Sequence, residues 1–426
     1  MALMDSLFKN KKQSHSPPRG RVSEEITLEK LKQLIPIRNL SEEKLQSFAL
    51  ENKLELFSTG KILFSINEVT DSTIYLINGT VSLSDGNGKT FEVDATEAKS
   101  KFPLSSGLKH TTTATAKSDI SILRVSQKIM SINSAKKHSF ELTIPDELKD
   151  SRLLQTFAQY FHDDELEVPS LPGIATKLRT AMQNNIGIAE AVKIIQLDPV
   201  ISAKLIEVAN CPLYVSIVPV KSCHEAVNRI GLNATRNLVI SLCIKNIFKS
   251  DSPKIKKLLD RLWKNSLYIS SLSYVLASVS KQSNPEEALL AGLICDIGAI
   301  PFLNFVANLP ADYFNEEEIL KAIPVVKGVV GSTILEKWGF AEEFIKVPIA
   351  SEDWYQHSEG PLSYTDIVVL SRLHSKIGKK EAANLPHITS IPAASKLKDI
   401  TLSPENSLSI LHDAKDKIND ALRTFS

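Results

Sequence analysis

The chain has 426 residues with 50 Lys and Arg against 49 Asp and Glu, a formal net charge of +1, which excludes a protein whose whole surface neutralises nucleic acid or lies on an anionic membrane. At about 150 residues per domain its length predicts two or three domains. Its 43% hydrophobic, 23% charged and 6% aromatic content is ordinary globular usage, poor in the rings that stack single strands.

Residues 1–21 hold Lys9, Lys11, Lys12, Arg19 and Arg21 against Asp5, and predict a flexible basic arm with no signal-peptide pattern. Removing that arm's net +4 leaves −3 for the remainder. Residues 23–54 predict one or two short amphipathic helices, with Ser23 as N-cap, Leu28, Leu31 and Leu34 at helical spacing, and a restart at Ser41. From 61 to 125 the texture is short strands: 61–66, 72–77, 80–84, 89–93, 111–116 and 119–125. Asn78-Gly79 and Asp85-Gly86 are hairpin-type dipeptides, and the set predicts a small antiparallel barrel or sandwich. The GNGKT run at 86–90 lacks the first glycine of a phosphate loop and reads as a hairpin tip.

From about 151 the periodicity is helical. Ile188, Val192 and Ile195 form one stripe, and Ile255, Leu258, Leu259, Leu262 and Ile269 another, on a long helix opening at Pro253. Residues 376–404 are polar and Pro-punctuated, before a last amphipathic helix carrying Leu411, Ala414, Ile418 and Leu422. The longest apolar run, 238–248, is broken by Lys245 and is too short to span a bilayer. Four cysteines, Cys211, Cys223, Cys243 and Cys295, form no CxxC pair and read as buried apolar side chains in a reducing compartment. His224-Glu225 opens like a zinc-protease helix, but Asn228 stands where the second histidine is needed.

Three segments then agree: Leu171-Pro172 in an LPxLP element, the DPxxSAKLxxxAN run from Asp198 to Asn210, and an AxxxxGL element from Ala226 to Leu232. In order and spacing they resemble the HDOD family, the HD-related output domain of bacterial signalling proteins, over roughly 155–385. Residues 34–130, with Gly60, Gly79 and the closing TATAKSDISILRV, more loosely resemble a cyclic-nucleotide-binding β-roll. Local chemistry also explains the motifs: Asp198-Pro199 as N-cap and N1, Asn210 as a holder of the following loop, Pro172-Gly173 as a tight helix start.

The resemblance implies a multi-domain α and β protein, an N-terminal antiparallel β-roll followed by an all-α HD-like helical bundle. The expected boundaries are a basic arm at 1–22, the roll with flanking helices at 23–135, a linker at 136–152, the helical domain at 153–385 and a C-terminal extension at 386–426. HD phosphohydrolases hold divalent metals with several His and Asp side chains. The resemblance places Asn265 at the first histidine, Cys295-Asp296 at the His-Asp doublet, Lys327 at the next histidine, Glu352-Asp353 at a His-His position, and Asp366 as a second surviving carboxylate. A lysine in that sphere would repel a cation or pair with the carboxylates. In the roll, Ser100-Lys101 stands at the Gly-Glu position and His110 at the arginine that would fork the cyclic phosphate.

These substitutions predict a non-enzymatic signalling protein of the bacterial cytoplasm, with no cofactor and no metal. It would work through contacts with other signalling or regulatory proteins, without nucleic-acid binding or membrane insertion. The rival classes are a divergent metal-dependent phosphodiesterase or phosphohydrolase, and a cyclic-nucleotide-responsive receptor.

Overall fold

The computed structural model describes residues 21–40, 42–106, 108–126, 142–163, 166, 169–211, 214, 218–310, 313–377, 384–398 and 408–414. The chain divides into two units, Met1–Gln127 and Lys128–Ser426.

The first unit contains eight described strands: β1 (Arg21–Glu25), β2 (Lys53–Phe57), β3 (Ile62–Phe64), β4 (Ser72–Asn78), β5 (Thr80–Ser84), β6 (Thr90–Asp94), β7 (Thr113–Ala116) and β8 (Ile120–Ser126). They form two four-stranded antiparallel sheets in the orders β1-β2-β8-β4 and β3-β7-β5-β6. Leu63, Phe64, Tyr75, Val81, Leu83, Ile122 and Leu123 are buried at the centre, so branched and aromatic residues do here what their strand preference anticipates.

Two expectations for this unit are corrected. Ser23 starts no helix: it lies on β1, whose Arg21 and Val22 pair with Leu56 and Glu55 of β2. The helical segment is α1 (Leu28–Leu31), capped by Thr27, whose hydroxyl accepts from Lys30 N at 3.3 Å; α2 (Glu42–Glu51) follows. Long-range pairing outweighs a helical pattern only a few residues long. Asn78-Gly79 is not the turn of a two-stranded hairpin either, because β4 and β5 belong to different sheets. The chain crosses between sheets at Gly79, with φ +83° and a position where a Cβ would stand 2.5 Å from the Asp119 carbonyl oxygen. Asp85-Gly86 does turn a hairpin, and the Asp85 carboxylate accepts from the backbone of Asn87 and Lys89 at 2.9 and 2.8 Å.

The second unit is helical: α3 (Arg152–His162), α4 (Gly173–Gln183), α5 (Ile188–Ile195), α6 (Pro199–Ala209), α7 (Cys223–Ile230), α8 (Leu232–Lys245), α9 (Pro253–Ser280), α10 (Pro285–Ile294), α11 (Ala299–Ala307), α12 (Glu316–Lys337), α13 (Glu342–Ala350), α14 (Tyr364–Lys376) and α15 (Ser409–Asp413). The 28 residues of α9 run about 42 Å. Asp198 caps α6 by accepting from Val200 and Ile201 N at 2.9 and 3.1 Å. The Asn210 amide clamps Val220 through both backbone groups, at 2.8 and 2.9 Å. Trp338 Nε1 donates to Pro169 O at 2.9 Å, tying the LPxLP element to the end of α12.

The stretch Pro285–Ala307, formed by α10 and α11, is long and apolar enough to cross a membrane, but 89% of that window is buried inside the protein. It is core, as Phe302 and Leu303 at 0% exposure show. The polar-looking tract after α14 includes two buried 3₁₀ turns, Ile388–Ser390 and Pro392–Lys396. Of the last amphipathic stripe, Leu411 is buried on α15, while Ile418 and Leu422, like residues 1–20 of the basic arm, lie outside the described residues.

Candidate functional site

Four other parts of the helical unit gather around Asp296, in the turn between α10 and α11: Asn265 from α9, Lys327 from α12, Ser351-Glu352 after α13, and Arg372 from α14. Asp296 Oδ1 accepts from Lys327 Nζ at 2.8 Å and from Arg372 Nη2 at 3.0 Å, and Oδ2 accepts from Asn265 Nδ2 at 3.4 Å. Glu352 Oε1 lies 2.6 Å from both Lys327 Nζ and Arg372 Nη1. Arg372 Nη2 also donates to Ser351 Oγ at 3.1 Å, and Arg372 Nε has no hydrogen-bond acceptor among the described residues. Two carboxylates and two cations thus close into a ring of zero net charge.

Three members of the ring are buried, Asp296 at 1%, Arg372 at 2% and Lys327 at 7% exposure, while the Glu352 side chain keeps 29% of its surface. Burial opposes ionisation of Asp296, but the Arg372 guanidinium and Lys327 ammonium outweigh it and hold the carboxyl well below the usual range. Burial equally opposes the charge on Arg372 and on Lys327, and the facing carboxylates overcome it, raising both pKa values. Glu352 is held down in the same way, by Arg372 and then Lys327 against its own burial. All four groups are therefore charged at neutral pH, which is the condition under which a buried ion cluster is tolerated.

The other nominated positions fall in different places. Cys295 is buried beside Asp296; its thiol donates to Gly292 O at 3.0 Å and is pushed up to about 12, chiefly by burial. Asp353 is exposed and accepts from Tyr355 N at 2.9 Å, with no ion pair among the described residues. Asp366 is fully buried at the start of α14 but belongs to a separate network: it accepts from Gln356 Nε2 at 2.6 Å, Ser358 Oγ at 2.7 Å and Lys396 Nζ at 2.8 Å, and completes a capping box with Ser363. It shares no partner with Asp296. Sequence reasoning missed Arg372 and Lys396. The signal for Arg372 was present, since a charged residue inside the apolar run 367–373 demands a buried counter-charge.

A divalent metal needs free lone pairs from carboxylate, imidazole or thiolate. The Asp296 oxygens are already occupied by an ammonium, a guanidinium and an amide, and the Cys295 thiol holds its proton. The residues present do not fit a metal, and among the described residues no group of three His, Cys, Asp or Glu side chains could hold one.

In the roll, His110 is 1% exposed, stacks on Phe64 with ring centroids 4.0 Å apart, and bonds Ser105 Oγ through Nδ1 at 2.7 Å. Burial, and then the charge of Arg124, lower its pKa to about 4. Ser100 Oγ bonds Ala95 and Glu97 carbonyls at 2.9 and 2.8 Å, and the Lys101 carbonyl accepts from Ile35 N at 2.8 Å, with its side chain exposed. These positions serve packing, and none presents a fork for a phosphate.

No curated protein matches the chain. Among solved structures it is similar to a candidate metal-dependent phosphohydrolase from Shewanella amazonensis SB2B, at 22% identity over 64% of this chain and 98% of that one, with a TM-score of 0.55. It is also similar to an HDOD domain protein of unknown function from Geobacter sulfurreducens, at 17% identity over 64% and 96% of the two chains, with a TM-score of 0.47. A cyclic nucleotide-binding-like protein from Brucella abortus matches 24% of this chain and 92% of its own at 20% identity, with a TM-score of 0.21. The HDOD domain family model matches residues 168–353, the segment that holds all three motifs and the Asp296 ring apart from Arg372, and antiparallel β-sheets precede that match along the chain.

Proposed function

We propose that this is a non-enzymatic signal-transduction or regulatory protein of the bacterial cytoplasm, whose HDOD domain acts through contacts with other signalling proteins under the control of its N-terminal roll. The carrying observation is the Asp296 ring, in which Lys327 and Arg372 supply from the chain the positive charge that a hydrolase would take from a metal. Cations already paired with the chain's own carboxylates offer no open position at which to activate water. In the roll, the buried neutral His110 supports a sensor that responds to a partner or an unrelated ligand in place of a cyclic mononucleotide.

The test uses the intact chain purified without chelators, with elemental analysis and hydrolysis assays on cyclic dinucleotides. We expect sub-stoichiometric metal and no turnover above buffer. A stoichiometric transition metal accompanied by hydrolysis would overturn the reading.

A further inference from the structure

The first half of α9 carries cations on one side. Lys254, Lys257, Arg261 and Lys264 are all exposed, and their spacing of three, four and three residues sets them along one stripe about 15 Å long. None of them is ion-paired with a described carboxylate. The stripe borders a hollow of about 800 Å³ between α9, the end of α11 and the start of α12. Its floor is apolar, built from Ile255, Leu258, Val306, Phe314 and Ile319, and Asp260 and Glu316 supply its acidic members. A second, separate hollow of about 440 Å³ shares Asp260 and is lined by Lys249, Lys256 and Trp263 on the other flank of α9.

We propose that this groove docks an acidic amphipathic helix of a partner protein. The apolar floor takes the partner's i, i+3, i+4 and i+7 side chains, and its flanking carboxylates meet the cation stripe. The hollow beside the stripe, at about 800 Å³, is by itself more extended than a small anion requires. The carboxylates of Asp260 and Glu316 break the positive tract that a continuous phosphate backbone would follow. The inference rests on the reading of the chain as a protein that works through partner contacts, and deepens it by stating the partner's chemistry.

The test is fluorescence anisotropy on the full chain with three labelled probes: a designed Glu/Leu amphipathic peptide, a scramble of the same composition, and a single-stranded oligonucleotide of matching charge. The comparison protein is the double variant Lys257→Glu, Arg261→Glu, whose exposed positions leave the fold intact, with circular dichroism as the check. We expect saturable binding of the amphipathic peptide, at least about tenfold tighter than the scramble and weakened at least about tenfold in the variant. Equal binding of the scramble, tighter binding of the oligonucleotide, indifference to the double variant, or no saturable binding of any probe overturns the proposal. Such a failure leaves the non-enzymatic reading to its own metal and hydrolysis assays, and a hydrolytic activity would sink that reading without touching the peptide result.

Discussion

Arg372 keeps 2% of its surface exposed, and a guanidinium so far from water persists because Asp296 and Glu352 face it. Pairs of this kind add little net stability, yet removing one partner strands the other. Asp296→Asn keeps the shape and deletes the charge, leaving Lys327 and Arg372 to share Glu352. We expect it to cost about 3–5 kcal/mol in denaturant unfolding of the full chain followed by tryptophan fluorescence. Asp353→Asn, one residue beyond Glu352 but exposed, should stay within about 0.5 kcal/mol, and equal losses would show that the ring is not the source. His110 makes the opposite case, a buried group kept neutral. Its pKa falls from 6.5 to about 4 in the folded roll, so the unfolded chain binds the proton more readily between those values. The stabilisation is complete above pH 6.5 and is lost as pH falls towards 4, by roughly 3 kcal/mol. Hydrogen-exchange protection factors of β3 and β7 amides, taken relative to the intrinsic rate at each pH, should fall as pH drops through that window in the wild type, and His110→Gln should flatten the dependence.

Between elements, the ring depends on how closely two helices approach. A Cβ on Gly298 would stand 2.1 Å from the Lys327 carbonyl oxygen and 2.3 Å from Gly331 N, so the start of α11 touches the backbone of α12 just where Lys327 must reach Asp296. Gly298→Ala forces these helices apart and should cost about 1–3 kcal/mol as an overpacked contact, with a lower unfolding midpoint as the readout; an unchanged midpoint would refute the contact's importance. The same scale shows what the sequence could and could not disclose. The long α9, with Pro253 at its first turn and Ile255, Leu258 and Leu259 inward, was legible from periodicity and a start signal. β1 was not, because its identity comes from pairing with β2 some thirty residues away. Gly79 was legible as a bend, but whether a bend closes a hairpin or moves the chain to another sheet is decided by β8, which pairs with β4 and leaves β5 to β7.

For the whole molecule, a net charge of +1 is a sum over unequal places. The exposed stripe on α9 adds to it, whereas the ring at Asp296, two carboxylates against two cations, adds nothing. The family resemblance implied that residues other than histidine stand at the hydrolase ligand positions, with Lys327 in the same sphere as Asp296. It did not show that Arg372, more than seventy residues along the chain, completes the ring, since that partnership is made by packing α14 beside α10. Asp366, the other carboxylate nominated with Asp296, turned out to be a helix cap tied to Lys396. Charge type was readable locally, whereas charge pairing was a property of the fold. That pairing bears on how the protein is made. On the reading proposed above, a centre whose positive charges are translated with the polypeptide needs no delivered ion to balance Asp296 and Glu352, and refolding of the chain in the presence of a chelator is expected to proceed unchanged.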